Sequence, residues 1–271
     1  MTHILVTNDD GVFSPGLLAL KRALEGVGRV SVIAPDRNRS AIGRGITIHD
    51  PLHVEQVELE DGSPAYATDG TPVDCVRFAM LGLVGEVPDL VVSGINMGLN
   101  LGDDVTYSGT VAAALEGVLL GWPAIAVSQQ HLGAPDDRWD GRHYDFAVVC
   151  DFVPKLVPLV TEHRFPRPVL LNVNAPARPA HDPPRARVTR LGRRLYNDAL
   201  VLEGTDGPRR RYTIYGEPPG YHPAPRTDFA ALEDGEISVS PLHFELTDEE
   251  GMDALTGLLA DYGLGRHGEG R

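Results

Sequence analysis

Asn8-Asp9-Asp10-Gly11 sets two adjacent carboxylates directly after the apolar run Ile4-Leu5-Val6-Thr7. Side chains alternate faces along a strand, so neighbouring aspartates converge only where the backbone turns, and Gly11 permits such a turn. Two carboxylates held together repel, and one pKa rises unless a cation neutralises them. A hard divalent metal does this well. A solvated acidic turn uses the same residue types, and the tetrapeptide alone leaves both readings open.

Two more polar segments follow apolar runs. Asp36-Arg37-Asn38-Arg39-Ser40 comes after residues 30–34, and Ser93-Gly94-Ile95-Asn96-Met97-Gly98 after residues 90–93. The three segments offer oxygen donors without histidine or cysteine, a set that suits magnesium, manganese or calcium better than zinc. Glycines 94, 98 and 102 let backbone N–H groups approach a ligand closely. Tyr107-Ser108-Gly109-Thr110 then opens an alanine-rich helix, and free N–H groups at a helix start make a phosphate seat. A capping role for Ser108 or Thr110 is compatible with that seat. Asp103-Asp104 offers a second acidic site or, on the favoured reading, solvated charge near the helix.

Other phosphate-site explanations fail on residues. No lysine lies between Lys21 and Lys155, which excludes a P-loop. The turn after the first strand is not the dinucleotide glycine fingerprint, and Ser108 lacks the flanking glycines of a nucleophile elbow. His49 and His53 are four apart but separated by Pro51 in a strand-like context. His131, His143, His163, His181, His222 and His243 lack ligand spacing.

The elements that must position these segments alternate between strand and helix. Strands are expected at 4–7, 30–34, 90–93, 124–128 and 169–173, and helices at 15–27, 71–83, 109–120 and 144–153, with Pro154 and Pro158 ending or kinking the last. Strands at 46–49 and 52–59 read as a hairpin outside the main sheet. Such a β-α-β pattern predicts a parallel sheet with right-handed crossovers, and ligands bind outside the carboxyl ends of its strands. After about Pro176 proline, glycine and arginine cluster between short strand-like pieces (212–215, 237–240). Thr247-Asp248-Glu249-Glu250 reads as a capping box for a last helix to about 262, followed by a frayed tail at 263–271. The organisation expected is an α/β catalytic core over 1–176 and a C-terminal extension over 177–271 that packs on this or another subunit.

The 271 residues suffice for one large α/β domain, and no stretch is long and apolar enough for a membrane span. With no signal-type segment at the start, a cytoplasmic location is expected. Cys75 and Cys150 make no disulfide framework and read as small apolar residues. A net charge of −14 argues against binding a nucleic-acid duplex, so an enzyme acting on phosphate must supply local positive charge. A bound metal would do so.

Val6-Thr7-Asn8-Asp9-Asp10-Gly11, Ala34-Pro35-Asp36, Arg39-Ser40, Gly70-Thr71-Pro72-Val73-Asp74-Cys75-Val76, Ser93-Gly94-Ile95-Asn96 and Tyr107-Ser108-Gly109-Thr110-Val111 occur in the order found in the SurE (stationary-phase survival protein) family. Asn172-Val173-Asn174-Ala175-Pro176 and Thr227-Asp228-Phe229-Ala230-Ala231 extend the resemblance over most of the chain. It implies a Rossmann-like three-layer α/β fold with a C-terminal oligomerisation arm exchanged between subunits, giving a homodimer or homotetramer. The activity implied is metal-dependent hydrolysis of nucleoside 5′- and 3′-monophosphates. The resemblance assigns one divalent metal per subunit (magnesium or manganese) to Asp9, Asp10, Ser40 and Asn96. Gly45 and Leu99 depart from the family's usual serine and proline.

On the residues themselves, Asn8, Asn96 and the segment Ser108, Gly109 and Thr110 are expected to hold phosphate oxygens. Asp9 or Asp10 would orient the attacking water or attack directly. The adjacent pair differs from an Asp-x-Asp spacing, which favours water. Short-chain polyphosphate hydrolysis on the same site and a non-catalytic nucleotide sensor are the alternatives.

Overall fold

The computed structural model describes residues 1–132, 144–162, 165, 168–178, 181–214, 220–262 and 264. His143, His163 and, apart from Leu264, the tail 263–271 lie outside the described residues. The first βαβ unit forms as its sequence dictates. Strand β1 (His3–Thr7) is fully buried, helix α1 (Pro15–Leu24) starts with Pro15 at its first position, and β2 (Arg29–Pro35) returns parallel to β1. Ser14 occupies the N-cap, though its side chain makes no capping bond.

Strands β3 (Val54–Glu58) and β4 (Pro64–Thr68) form an antiparallel hairpin, and helix α2 (Pro72–Met80) follows. Beyond them lie β5 (Leu90–Met97), the 3-10 turn Gly102–Thr106, α3 (Gly109–Leu119), β6 (Ala124–Gln129), α4 (Ala147–Thr161) and β7 (Leu170–Ala175). The C-terminal part supplies β8 (Ala186–Val188), β9 (Arg194–Leu195), β10 (Val201–Asp206), β11 (Arg209–Thr213), β12 (Gly220–Tyr221), α5 (Asp228–Glu233), β13 (Ile237–Leu242) and α6 (Glu249–Asp261).

Among the described residues nine strands make the main sheet, in the order β3-β4-β2-β1-β5-β6-β7-β13-β8. The run from β4 to β7 is parallel throughout, while β3 and β13 pair antiparallel with their inner neighbours. Helices α1 and α4 cover one face through Leu17, Leu20, Val149, Val153 and Val157 against Ile4, Val92 and Ile125. Helices α2 and α3 cover the other through Val76, Ala113 and Ala114 against Leu5, Ile33 and Val91. Burying each such Leu, Val or Ile contributes about 1.5–3 kcal/mol, so two continuous apolar layers dominate the stability.

Four expectations change. Residues 46–49 form no strand, because the carboxylate of Asp74 takes the backbone N–H and hydroxyl of Thr47 (3.1 and 2.8 Å) and replaces a ladder partner. The hairpin is instead β3–β4, and β4 lies parallel to β2 inside the main sheet. Helix α4 runs through Pro154 and Pro158, since Val153, Leu156, Val157 and Val160 stay buried on its inner side and tertiary packing outweighs the lost backbone bonds. The last helix is capped by Asp248, which accepts from the Gly251 N–H at 3.0 Å, and not by Thr247.

Beyond residue 176 the chain is not wholly peripheral. Strands β8 and β13 extend the sheet, and α5 packs on β13 and β7. The pieces that stand apart are the β10–β11 hairpin and α6, which has no buried residue.

Candidate active site

Strand β1 lies between β2 and β5, so the connections leaving its carboxyl end and that of β5 diverge. An open parallel sheet offers a crevice at such a switch point. The chain places Asp9 and Asp10 after β1 and Asn96 near the end of β5 in that crevice. Gly11 turns the backbone at φ +108°, as the paired aspartates require.

Asp9 is 3% exposed and accepts the Thr110 hydroxyl at 2.5 Å. Backbone N–H groups of Gly109 and Thr110 also bond to it, so the amino end of α3 seats this carboxylate. Burial pushes its pKa up, and those hydrogen bonds oppose the shift. Asp10 is half-buried and accepts the Met97 N–H at 3.3 Å. Its pKa is pushed to about 7, first by burial and then by the charge of Asp9. Neighbouring carboxylates in this state are poised for a cation.

Ser40 rides on an exposed loop whose backbone is tied down at Arg39, where the N–H donates to the Asp9 carbonyl at 2.7 Å. Arg44 continues the loop and pairs with Glu116, fully buried in α3, which also binds Arg77. The Asn96 amide donates to the Gly98 carbonyl at 3.0 Å, which leaves its side-chain oxygen as an acceptor. Ser108 caps α3 by accepting the Val111 N–H at 3.1 Å.

Asp9, Ser40, Asn96 and Ser108 all line one cavity of about 220 Å³, open to solvent. Asp10 flanks it through Met97, itself a lining residue. Three expected phosphate contacts have other partners, the first being Gly109, whose N–H bonds to Asp9. Asn8 is fully buried, and its amide closes on Gly11 with reciprocal bonds of 3.1 Å, bracing the turn. Thr110 is also fully buried, turned onto Asp9.

Asn100, Asp104 and Tyr107 also line the cavity; sequence reasoning gave Asn100 and Tyr107 no role and read Asp104 as solvated charge. Asn100 is a buried hub. Its side chain donates to Ser128 (2.8 Å), its N–H to Asn174 (2.8 Å), and its carbonyl accepts from Asn172 and Asn174. The i, i+2 spacing of Asn172 and Asn174 on β7 was the available signal, because it aims both at one face. Asp103 is exposed, as expected, and accepts the Arg194 N–H, whereas Asp104 is only part-exposed and accepts from Arg194 (2.6 Å) and the Tyr196 hydroxyl (2.8 Å).

The donors present fit a hard divalent cation: two carboxylates under mutual strain, a hydroxyl and an amide oxygen, without nitrogen or sulfur ligands. Among the described residues no group of three or more His, Cys, Asp or Glu is gathered, so a histidine- or thiolate-rich centre is not part of this site. Fold and crevice together define a class: a Rossmann-like α/β protein with an oxygen-lined acidic site at the switch point of a parallel sheet.

Within that class the chain belongs to the SurE family; residues 4–198 match the family described as Survival protein SurE. A 5′-nucleotidase SurE from Rubrobacter xylanophilus is 52% identical over 255 residues, covering 93% of this chain and 96% of that protein. One from Herpetosiphon aurantiacus is 46% identical over 254 residues, covering 94% and 97%. The crystal structure of the SurE protein from Aquifex aeolicus matches with a TM-score of 0.76 at 35% identity, over 94% of this chain and 99% of that one.

Proposed function

We propose that this chain is a metal-dependent phosphatase that hydrolyses nucleoside 5′- and 3′-monophosphates to nucleoside and phosphate. It is a phosphoric monoester hydrolase, and the observation that carries the reading is the Asp9–Asp10 pair meeting Ser40 and Asn96 around one crevice. A bound magnesium or manganese ion would supply Lewis acidity toward the phosphoryl group and its attacking water. Asp9, Asp10, Ser40 and Asn96 would hold it.

The chain's own groups do the rest. Asp9 or Asp10 orients the attacking water. Ser108 and the amide of Asn96 face the phosphate from the cavity wall. Tyr107, 60% exposed at the rim, offers an aromatic face on which a nucleobase stacks.

The reading extends to assembly and location. Met252, Leu255 and Leu258 of α6 and Tyr262 just after it are exposed, as are Val201 and Leu202 of the hairpin, which supports a homodimer or homotetramer. Among the described residues no helix is long and apolar enough to cross a membrane. Both cysteines are free thiols, which suits a reducing, cytoplasmic setting.

The test is phosphate release from 5′-AMP, 3′-AMP, 5′-GMP and tripolyphosphate with manganese or magnesium. Release from the nucleotides, abolished by chelator and restored by metal, is expected. Nucleotide binding without turnover overturns the enzyme in favour of a sensor, and release from tripolyphosphate alone transfers the site to polyphosphate.

A further inference from the structure

Thr110 stands where a phosphate contact was expected, yet its side chain has no exposed surface. Its hydroxyl donates to Oδ1 of Asp9 at 2.5 Å, joining residues 101 positions apart. Hydrogen bonds from a hydroxyl to an ionised carboxylate are short and about twice as strong as neutral ones. Besides the bonds from the Gly109 and Thr110 N–H groups, the carboxylate is confined by space. A Cβ on Gly109 would stand 2.8 Å from Asp9 Oδ2 and 2.7 Å from Asp9 Cβ, so the carboxylate lies flat on a residue that must lack one. Ser108, one residue before Gly109, lines the cavity and caps α3.

We propose that Thr110 is a positioning residue that acts through Asp9 and not through the phosphate, with Gly109 providing the space in which Asp9 is held. Asp9 sits in the turn that follows a strand, and one hydroxyl and one missing methyl group join the backbone N–H groups of Gly109 and Thr110 in selecting its orientation. The proposal rests on the reading of Asp9 as a metal-holding residue. Groups that orient a ligand carboxylate change metal affinity about 10- to 100-fold when removed. A phosphate contact would change substrate affinity, and a packing residue would change thermal stability alone.

The full-length protein and its Thr110→Val, Thr110→Ser, Gly109→Ala and Asp9→Asn variants separate these roles. Manganese binding is measured without substrate, by calorimetry and by the free-ion electron paramagnetic resonance signal. Thermal unfolding of the metal-free proteins and KM for AMP at saturating manganese complete the comparison.

Thr110→Val should weaken manganese binding about 10-fold or more, and Thr110→Ser should restore it to within about threefold of the parent. Gly109→Ala should weaken it similarly, with KM for AMP within about twofold in the Thr110 and Gly109 variants. Unchanged manganese affinity in Thr110→Val, with either a raised KM or a lowered melting temperature, overturns the proposal while Asp9→Asn still weakens the metal. Equal binding by Asp9→Asn and the parent overturns the metal site itself, and the proposal with it. If Thr110→Val does not fold, Gly109→Ala and Thr110→Ser decide by the same measure.

Discussion

The crevice beside β1 and the outlying pair formed by α6 and the β10–β11 hairpin are opposites in how they satisfy their side chains. At the crevice, polar groups are buried and answered one by one: Asp9 by Thr110, Asn8 by Gly11, Asn100 by three partners on β6 and β7. On α6 apolar groups are displayed and none is buried. The groups named at the first are answered within one chain and leave room for a cation. A region with a bare apolar stripe leaves a surface open to association. Changes at the first should therefore strike chemistry, and changes at the second association.

The largest effect expected is on the carboxylate pair. Asp9→Asn and Asp10→Asn should each lower kcat/KM for AMP by about 10²-fold or more, as loss of a charged ligand or of general-base assistance does. The far-ultraviolet circular dichroism of both should match the parent. Near-normal turnover in both at limiting manganese would break the contrast by showing the crevice to be dispensable.

A smaller effect on rate and a large one on mass is expected from truncation after residue 247, which removes α6 and leaves the sheet intact. Light scattering should show a lower oligomeric state or loss of solubility. Activity of the soluble protein should stay within about threefold, a barrier change of under about 0.7 kcal/mol. A full-length protein that is monomeric at micromolar concentration would show that the apolar stripe of α6 has no partner.

The smallest effect is on stability against pH. Asp10 has a folded pKa of about 7 against an ordinary value of 3.8. The folded state therefore binds the proton more tightly, and its stabilising contribution is full below pH 3.8 and lost as pH rises through about 7. Metal-free parent protein should lose melting temperature over that window relative to Asp10→Asn, which stays neutral. Manganese should raise the parent's melting temperature above pH 7, where both carboxylates are ionised. Parallel curves for the two metal-free proteins would show that the pair is not under electrostatic strain.

The parallel core was legible because its strands are short, wholly apolar runs followed by polar turns, and because Ser14-Pro15, Thr71-Pro72 and Ser108-Gly109 mark helix starts. Strand β4 was missed since Pro64-Ala65-Tyr66-Ala67-Thr68 carries little apolar signal and is placed by pairing with β2. The continuation of α4 through two prolines and the docking of β13 beside β7 depend on long-range packing, which local periodicity does not record. At the site, the residue types lining the cavity were legible from the segments following β1, β2 and β5. Which of them turn inward to brace a neighbour, as Asn8 and Thr110 do, depends on partners distant in sequence.

The attachment of the cavity wall to the C-terminal part of the chain bears on how the protein is made. Gly102 donates its N–H to Asp228, 126 residues later, and Asp104 waits for Arg194. A chain emerging from the ribosome amino end first exposes Asp9, Asp10 and Asn96 long before either partner exists. The acidic pair is thus translated early and its surrounding loop is anchored late. A chain released short of residue 194 would carry the carboxylates without the braces that hold the wall beside them.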